Sequence, residues 1–110
     1  MKKTTISLTM ADGMAKALND VTQERIRQVD EEGYTPASDD AYDGGQLAYV
    51  AAAYALPGPV HGGLRGRLYA VSGWDTRHYK PTDRRRDLTK AAALLLAEIE
   101  RLDRVINKKA

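Results

Sequence analysis

The last quarter of the chain carries the pattern that most constrains its fold. Apolar residues recur there at alternating spacings of four and three, at Leu88, Ala92, Leu95, Ile99, Leu102 and Ile106. This heptad spacing is typical of a helix that packs against another helix, and it predicts one long helix over residues 82–107. Leu94 and Leu96 lie outside this seam, so the middle of the helix is apolar on more than one face. We therefore expect it to be buried in a bundle or at a subunit interface.

Two shorter helices are predicted upstream. Residues 12–32 place apolar side chains at helical spacing, and Gly33 ends the stretch because glycine favours a helix C-terminus. Residues 46–56 are rich in alanine, the best helix former, and stop at Pro57. Three aspartates lie at or just ahead of the start of this second helix, where carboxylates suit the helix dipole: Asp39, Asp40 and Asp43.

Residues 57–73, between the second and third predicted helices, are rich in glycine and are predicted to be irregular. Within them, residues 68–71 could form a brief strand or belong to the loop. With 110 residues, 43% of them hydrophobic, the chain has room for one core. The sequence predicts an all-α fold, a small helical bundle of one domain over residues 1–110 with a long C-terminal helix. We expect a flexible N-terminus at residues 1–10 and association into a homo-oligomer.

The composition excludes several classes of function. The formal net charge of +2 is too small for a protein that wraps nucleic acid or coats a membrane. The lack of cysteine excludes disulfides, a thiol nucleophile and thiolate-bound metals. No apolar run reaches the length of a signal peptide or a membrane span, so we expect a cytoplasmic protein with no membrane partner. No cofactor is predicted.

Charge is segregated along the chain. Residues 30–43 contain six acids and no base, whereas residues 65–90 contain eight bases and three acids. One interpretation is that the two blocks attract each other and form interhelical ion pairs on a solvated surface. The other interpretation is that the basic block forms an anion site.

The segment 74–86 favours the anion site. Two aromatic residues able to stack on a base, Trp74 and Tyr79, stand beside Lys80, Arg84 and Arg85, which can hold phosphate at the start of a long helix. Arg25 and Gln28 are expected to close the pocket from the first helix. Trp74 has a second interpretation as a filler of the core. No catalytic or metal-binding residue is assigned, although the acids at residues 31–43 raise the alternative of a magnesium site.

Several stretches, among them Lys80-Pro81 ahead of the arginine run, resemble a family of small uncharacterised phage and prophage proteins over residues 20–105. The others are Glu24-Arg25-Ile26-Arg27-Gln28, Glu32-Gly33-Tyr34-Thr35-Pro36 with Asp39-Asp40, Gly45-Gln46-Leu47-Ala48, and Arg84-Arg85-Arg86-Asp87-Leu88 followed by the alanine-rich run that ends in Glu98-Ile99-Glu100-Arg101-Leu102-Asp103-Arg104. The order is also similar to that of phage-encoded MazG-like nucleotide pyrophosphohydrolases, which are all-helical magnesium enzymes. In those enzymes a Glu-Glu-x-x-Glu metal motif follows the Gly turn, whereas residues 46–54 here contain no carboxylate. The resemblance implies a nucleotide-binding frame that binds without turnover.

The leading hypothesis is a phage-encoded, oligomeric, non-catalytic protein in the cytoplasm of an infected host. It would sequester a small phosphorylated or nucleotide-like ligand, such as an immune signal of the host, as phage sponge proteins do. One alternative is a divergent MazG-like pyrophosphohydrolase whose magnesium is held by Asp39, Asp40, Glu98 or Asp103. The other alternative is a structural or protein-binding accessory factor, in which the seam only builds the oligomer.

Overall fold

The computed structural model describes residues 12–60 and 62–109, and all the regular secondary structure in this part of the chain is helical. Its α-helices are α1 (Asp12–Asp30), α2 (Pro36–Asp39), α3 (Gln46–Ala55), α4 (Leu64–Ser72) and α5 (Arg84–Lys109), with a single 3-10 turn at Thr76–His78. The all-α prediction is confirmed, including the long C-terminal helix. The expectation of a flexible segment at residues 1–10 lies outside the described residues, as does His61.

The turn after α1 follows the predicted chemistry. Gly33 adopts a φ of 76°, and the Tyr34 N–H donates to the carbonyl oxygen of Gln28 over 2.9 Å, which satisfies a carbonyl at the helix end. The hydroxyl of Thr35 then caps α2 by accepting from the Ser38 N–H at 3.2 Å. The chain therefore reverses tightly and presents α2 to α5.

The core lies where α3 meets α4 and α5. From α3, Leu47, Val50 and Ala53 are buried, and α5 contributes Leu94 and Ala97. Alanine at so many contact positions lets the helix backbones approach closely. The helix α3 packs against both α4 and α5, and α1 and α2 pack against α5.

The helix α4 corrects the sequence prediction. Residues 64–72 were expected to be irregular or to contain a brief strand, but they form a helix between Gly63 and Gly73, which has a φ of 74°. Gly66 inside the helix weakens its intrinsic propensity. Tertiary contacts overcome this weakness, because Tyr69 is buried and the Arg65 guanidinium donates to the Ala53 carbonyl at 2.7 Å.

The long helix buries a different face from the one that the heptad pattern indicates. Its core side chains include Ala91, Leu94 and Ala97, whereas every large residue of the seam is exposed in the single chain. The expectation of burial inside the bundle is therefore not met within one chain. None of α1–α5 has the length and apolar character that a helix needs to cross a membrane.

The two charged blocks do not pair with each other. Within residues 12–60 and 62–109, no ion pair joins the acidic segment 30–43 to the basic segment 65–90. Asp39, expected near the start of α3, instead lies in α2 and is bound by Arg25 of α1 at 3.0 Å. The arginine run pairs with α1: Arg85 contacts Asp20 at 2.9 Å. Ion pairs between helices are present, but they connect different partners from those expected.

Candidate functional site

Three adjoining depressions form a groove between α1 and the segment that leads into α5. The first, which we call the basic end, has a volume of about 290 Å³, the second, the throat, about 40 Å³, and the third, the aromatic end, about 380 Å³. The basic end and the throat share Glu24 and Arg27. The throat and the aromatic end share Glu32, Tyr34 and His78. The three depressions thus follow one another from α1 to the turn after it.

The basic end is organised around a buried carboxylate. Glu24 is 2% exposed and accepts hydrogen bonds or ion pairs from Arg27 at 2.8 Å and Arg86 at 2.6 Å. Burial alone raises the pKa of Glu24, but the hydrogen bonds from Arg27 and Arg86 outweigh it and lower the pKa. Arg85 pairs with Asp20 at the rim. Three guanidinium groups therefore face these two carboxylates, and Arg27 is also paired with Glu32 at 2.9 Å and with Glu31 at 3.5 Å.

The throat contains an unsatisfied buried acceptor. Gln28 is 2% exposed, and its Nε2 donates to Glu24 at 3.3 Å and to the Lys90 carbonyl at 3.4 Å. Its Oε1 is buried and has no hydrogen-bond partner. Buried polar atoms in proteins are normally paired. Because Gln28 lines the throat, this oxygen is a polar atom of the groove wall that the protein itself does not pair.

A buried lysine stands opposite Gln28. Lys90 is 8% exposed, its ammonium donates to the Lys80 carbonyl oxygen at 2.6 Å, and it lies 5.5 Å from the centre of the Tyr54 ring. In the described part of the chain no carboxylate oxygen lies within 4 Å of this ammonium. Burial, and then the charge of Arg86, lower the pKa of Lys90. The throat thus holds a cation whose charge is only partly compensated.

Aromatic rings form the far end of the groove. Trp74 lies between Tyr34, at a ring-centre distance of 5.2 Å, and Tyr42, at 5.0 Å, and both rings are tilted relative to the indole. The indole Nε1 is buried without a hydrogen-bond partner. Burial raises the pKa of Tyr34, so its phenol stays protonated near neutral pH. This end offers ring surfaces, which suit a planar ligand group.

Four of the residues predicted for the site line the groove. Gln28 and Lys80 belong to the throat, Trp74 to the aromatic end and Arg85 to the basic end. Trp74 is half-buried rather than enclosed in the core. The structure therefore brings residues from α1, the loop before α5, and α5 itself to one surface.

The other three predicted residues serve the fold. The Arg25 guanidinium donates to Asp39, to Glu100 and to the Tyr34 carbonyl, so each of its nitrogens is used. Tyr79 is buried against Tyr54 and Tyr69, and its hydroxyl donates to the Ala53 carbonyl at 2.9 Å. Arg84 donates to the Ala55 carbonyl oxygen. These three side chains lie outside the groove lining.

Sequence reasoning predicted Gln28 but missed three residues at the centre of the groove, namely Glu24, Arg86 and Lys90. Glu24 and Gln28 are four residues apart on α1, and Arg86 and Lys90 are four residues apart on α5. Residues at this spacing share one helix face. If the polar face of α1 had been placed against the polar face of α5, the site would have been found. The polar residues on both faces were instead attributed to the solvated surface.

Three of the four acids named for the magnesium of a pyrophosphohydrolase are engaged in ion pairs. Asp39 is held by Arg25, Asp40 by Arg104 at 2.9 Å, and Glu98 by Arg101. Among residues 12–60 and 62–109 no group of three acidic or histidine side chains is placed to hold a metal ion. In the described part of the chain, no set of acids is therefore placed to hold the magnesium ion that the enzymatic alternative needs.

Comparisons of the chain with protein-family models, with curated proteins and with solved structures give no match.

Proposed function

We propose that this protein binds and sequesters a small phosphorylated, nucleotide-like ligand in the groove, without chemical conversion. The observation that carries the proposal is the order of the three depressions. Guanidinium groups occupy one end, ring surfaces the other, and the unsatisfied oxygen of Gln28 lies between them. A nucleotide has phosphate, sugar and base in the same linear order.

The basic end supports phosphate binding through Arg27, Arg85 and Arg86. Arginine forms paired hydrogen bonds with phosphate oxygens. Of the three, Arg85 has the most exposed side chain, and its partner Asp20 is partly exposed. An incoming phosphate can therefore replace that carboxylate at low cost, because an exposed ion pair contributes only ~0–1 kcal/mol.

The throat and the aromatic end support the rest of the ligand. Lys80 and Lys90 add positive charge next to Gln28, whose oxygen can accept from a ligand hydroxyl. Trp74 and the tyrosines beside it provide surface against which a base can stack. Binding without turnover is favoured because the groove contains no arrangement of acids for a metal in the described residues.

The biological setting that we propose is the cytoplasm of a phage-infected cell, where such a protein would remove a nucleotide-derived immune signal of the host. The resemblance to small phage proteins supports this setting. We also propose that the protein acts as a homo-oligomer. The exposed seam of α5 supports oligomerisation.

Thermal denaturation with a panel of nucleoside phosphates and cyclic dinucleotides tests the binding proposal. We expect at least one member to raise the melting temperature. Arg85→Gln should weaken that binding by about tenfold, because one phosphate contact is lost. Arg67→Gln, an exposed arginine on α4 away from the groove, is the matched control. A panel in which no compound stabilises the protein would contradict the proposal.

A further inference from the structure

We infer that a second copy of this chain packs on the exposed apolar seam of α5 and the adjoining face of α1. Nine large apolar side chains on these helices are between 38% and 63% exposed, namely Met14, Leu18, Ile26, Leu88, Leu95, Leu96, Ile99, Leu102 and Ile106. Monomeric proteins rarely leave so many large apolar residues together in water. We call this surface the apolar seam; it consists of the heptad positions of α5 together with Leu96 and the three residues of α1.

The spacing of the seam fits a second copy of the same helix. Along α5 the steps between successive positions are four, three, four, three and four, which is the same sequence from either end. An antiparallel copy therefore places Leu88 opposite Ile106 and Leu95 opposite Ile99. A two-fold dimer requires a surface that complements itself in this way. The contact extends over about 27 Å of helix, at 1.5 Å per residue.

The extent of the seam also favours another folded chain over a short segment. The nine residues together expose the equivalent of about four whole aliphatic residues, and a stable dimer buries about 800 Å² on each partner. The eleven residues that precede α1 contain few large apolar side chains, Ile6, Leu8 and Met10 besides the first methionine. Their apolar side chains are too few to cover the exposed apolar area of the seam.

The seam continues into the groove. A shallow hollow of about 210 Å³ between α1 and α5 is lined by Ala17, Val21 and Leu88 together with Arg85 and Thr89. Arg85 and Thr89 also line the basic end. A second copy seated on Leu88 therefore stands at the open side of the basic end and encloses a bound phosphate. This closure rests on the proposed function, whereas the dimer does not.

Sedimentation equilibrium of the full chain tests the dimer. We expect a mass of twice the chain mass of 12.1 kDa for the wild type. The double variant Leu95→Glu, Ile99→Glu should be monomeric with an unchanged circular dichroism spectrum, because both side chains are exposed in the single chain. Val71→Glu, an equally exposed apolar residue on α4, should remain dimeric. If the double variant fails to fold, Leu102→Lys takes its place. A monomeric wild type would overturn the inference.

Calorimetric titration with inorganic pyrophosphate tests the closure. We expect pyrophosphate to bind the monomeric variant about tenfold more weakly than the Val71→Glu control. Equal affinity for the two variants would show that the second copy does not enclose the basic end. If pyrophosphate binds neither variant while the wild type is dimeric, the proposed function fails and the dimer stands.

Discussion

Replacing Lys90 by methionine should make the protein more stable and a weaker binder at the same time. Methionine matches the length of the lysine stem and has no charge. Because Lys90 is 8% exposed and has no carboxylate within ion-pair distance in the described residues, its charge is buried at a cost. A functional residue whose charge is buried without an ion-pair partner lowers the free energy of unfolding of the unliganded protein.

The magnitude follows from the contacts of the ammonium. Burying a charge costs several kcal/mol after relaxation. One charged hydrogen bond, to the Lys80 carbonyl, returns ~1.5–3 kcal/mol, and the Tyr54 ring returns ~1–2 kcal/mol. The net gain expected for Lys90→Met is about 1–2 kcal/mol. For a domain of this size the melting temperature should rise by about 5 °C.

The pH dependence provides a second signature. The folded-state pKa of Lys90 is below its ordinary value of 10.5, so proton release favours the folded state. Wild-type stability should therefore gain, relative to Lys90→Met, as the pH rises through the lowered pKa towards 10.5. The difference between the two proteins isolates this effect from the titration of the tyrosines.

Urea denaturation and calorimetric titration with pyrophosphate measure the two effects. Lys16→Met, at an exposed position on α1, is the control and should change stability little. We expect pyrophosphate affinity to fall about tenfold in Lys90→Met only. A loss of more than about 1 kcal/mol of stability in Lys90→Met would refute the reasoning, since it would show that the lysine supports the fold.

Three further predictions concern other parts of the chain. Arg65→Met leaves Asp87 buried without its ion pair, 3.2 Å in length, and should cost about 3–5 kcal/mol in urea denaturation, whereas Arg67→Met on the same helix should cost little. Trp74 is the only tryptophan, so a nucleoside diphosphate should quench the intrinsic fluorescence and pyrophosphate, which lacks a base, should not; equal quenching by both would contradict stacking. The lowered pKa of Glu24 means that it contributes stability above its ordinary value of 4.5, which is lost as the pH falls through the lowered value. Acid titration of stability should accordingly be flatter in Glu24→Gln than in the wild type.

The helices were predictable where local signals agree. Gly33 and Pro57 delimit α1 and α3 within two residues of the predicted ends, because glycine and proline act through the backbone alone. The helix α4 was not predictable in this way, because the ion pair between Arg65 and Asp87 joins residues 22 positions apart. Such a contact is invisible to any local window of sequence.

The kind of site was predictable from the sequence, but only some of the residues that form it were. Cations and aromatic residues before α5 indicated an anion site, and Trp74, Lys80 and Arg85 do line the groove. Tyr79 has the same composition signal as Trp74, but its ring fills the core. Which of two neighbouring aromatic residues faces outwards depends on packing against α3, and sequence spacing in a loop does not encode it.

Native mass spectrometry tests the central claim most directly. The wild-type protein is incubated with the nucleotide panel and magnesium, and its mass is recorded before and after denaturation. Our account predicts an assembly that carries the added mass of a nucleotide, which denaturation releases with its phosphates intact. A protein that acquires no added mass, or that returns a hydrolysed nucleotide, would contradict it.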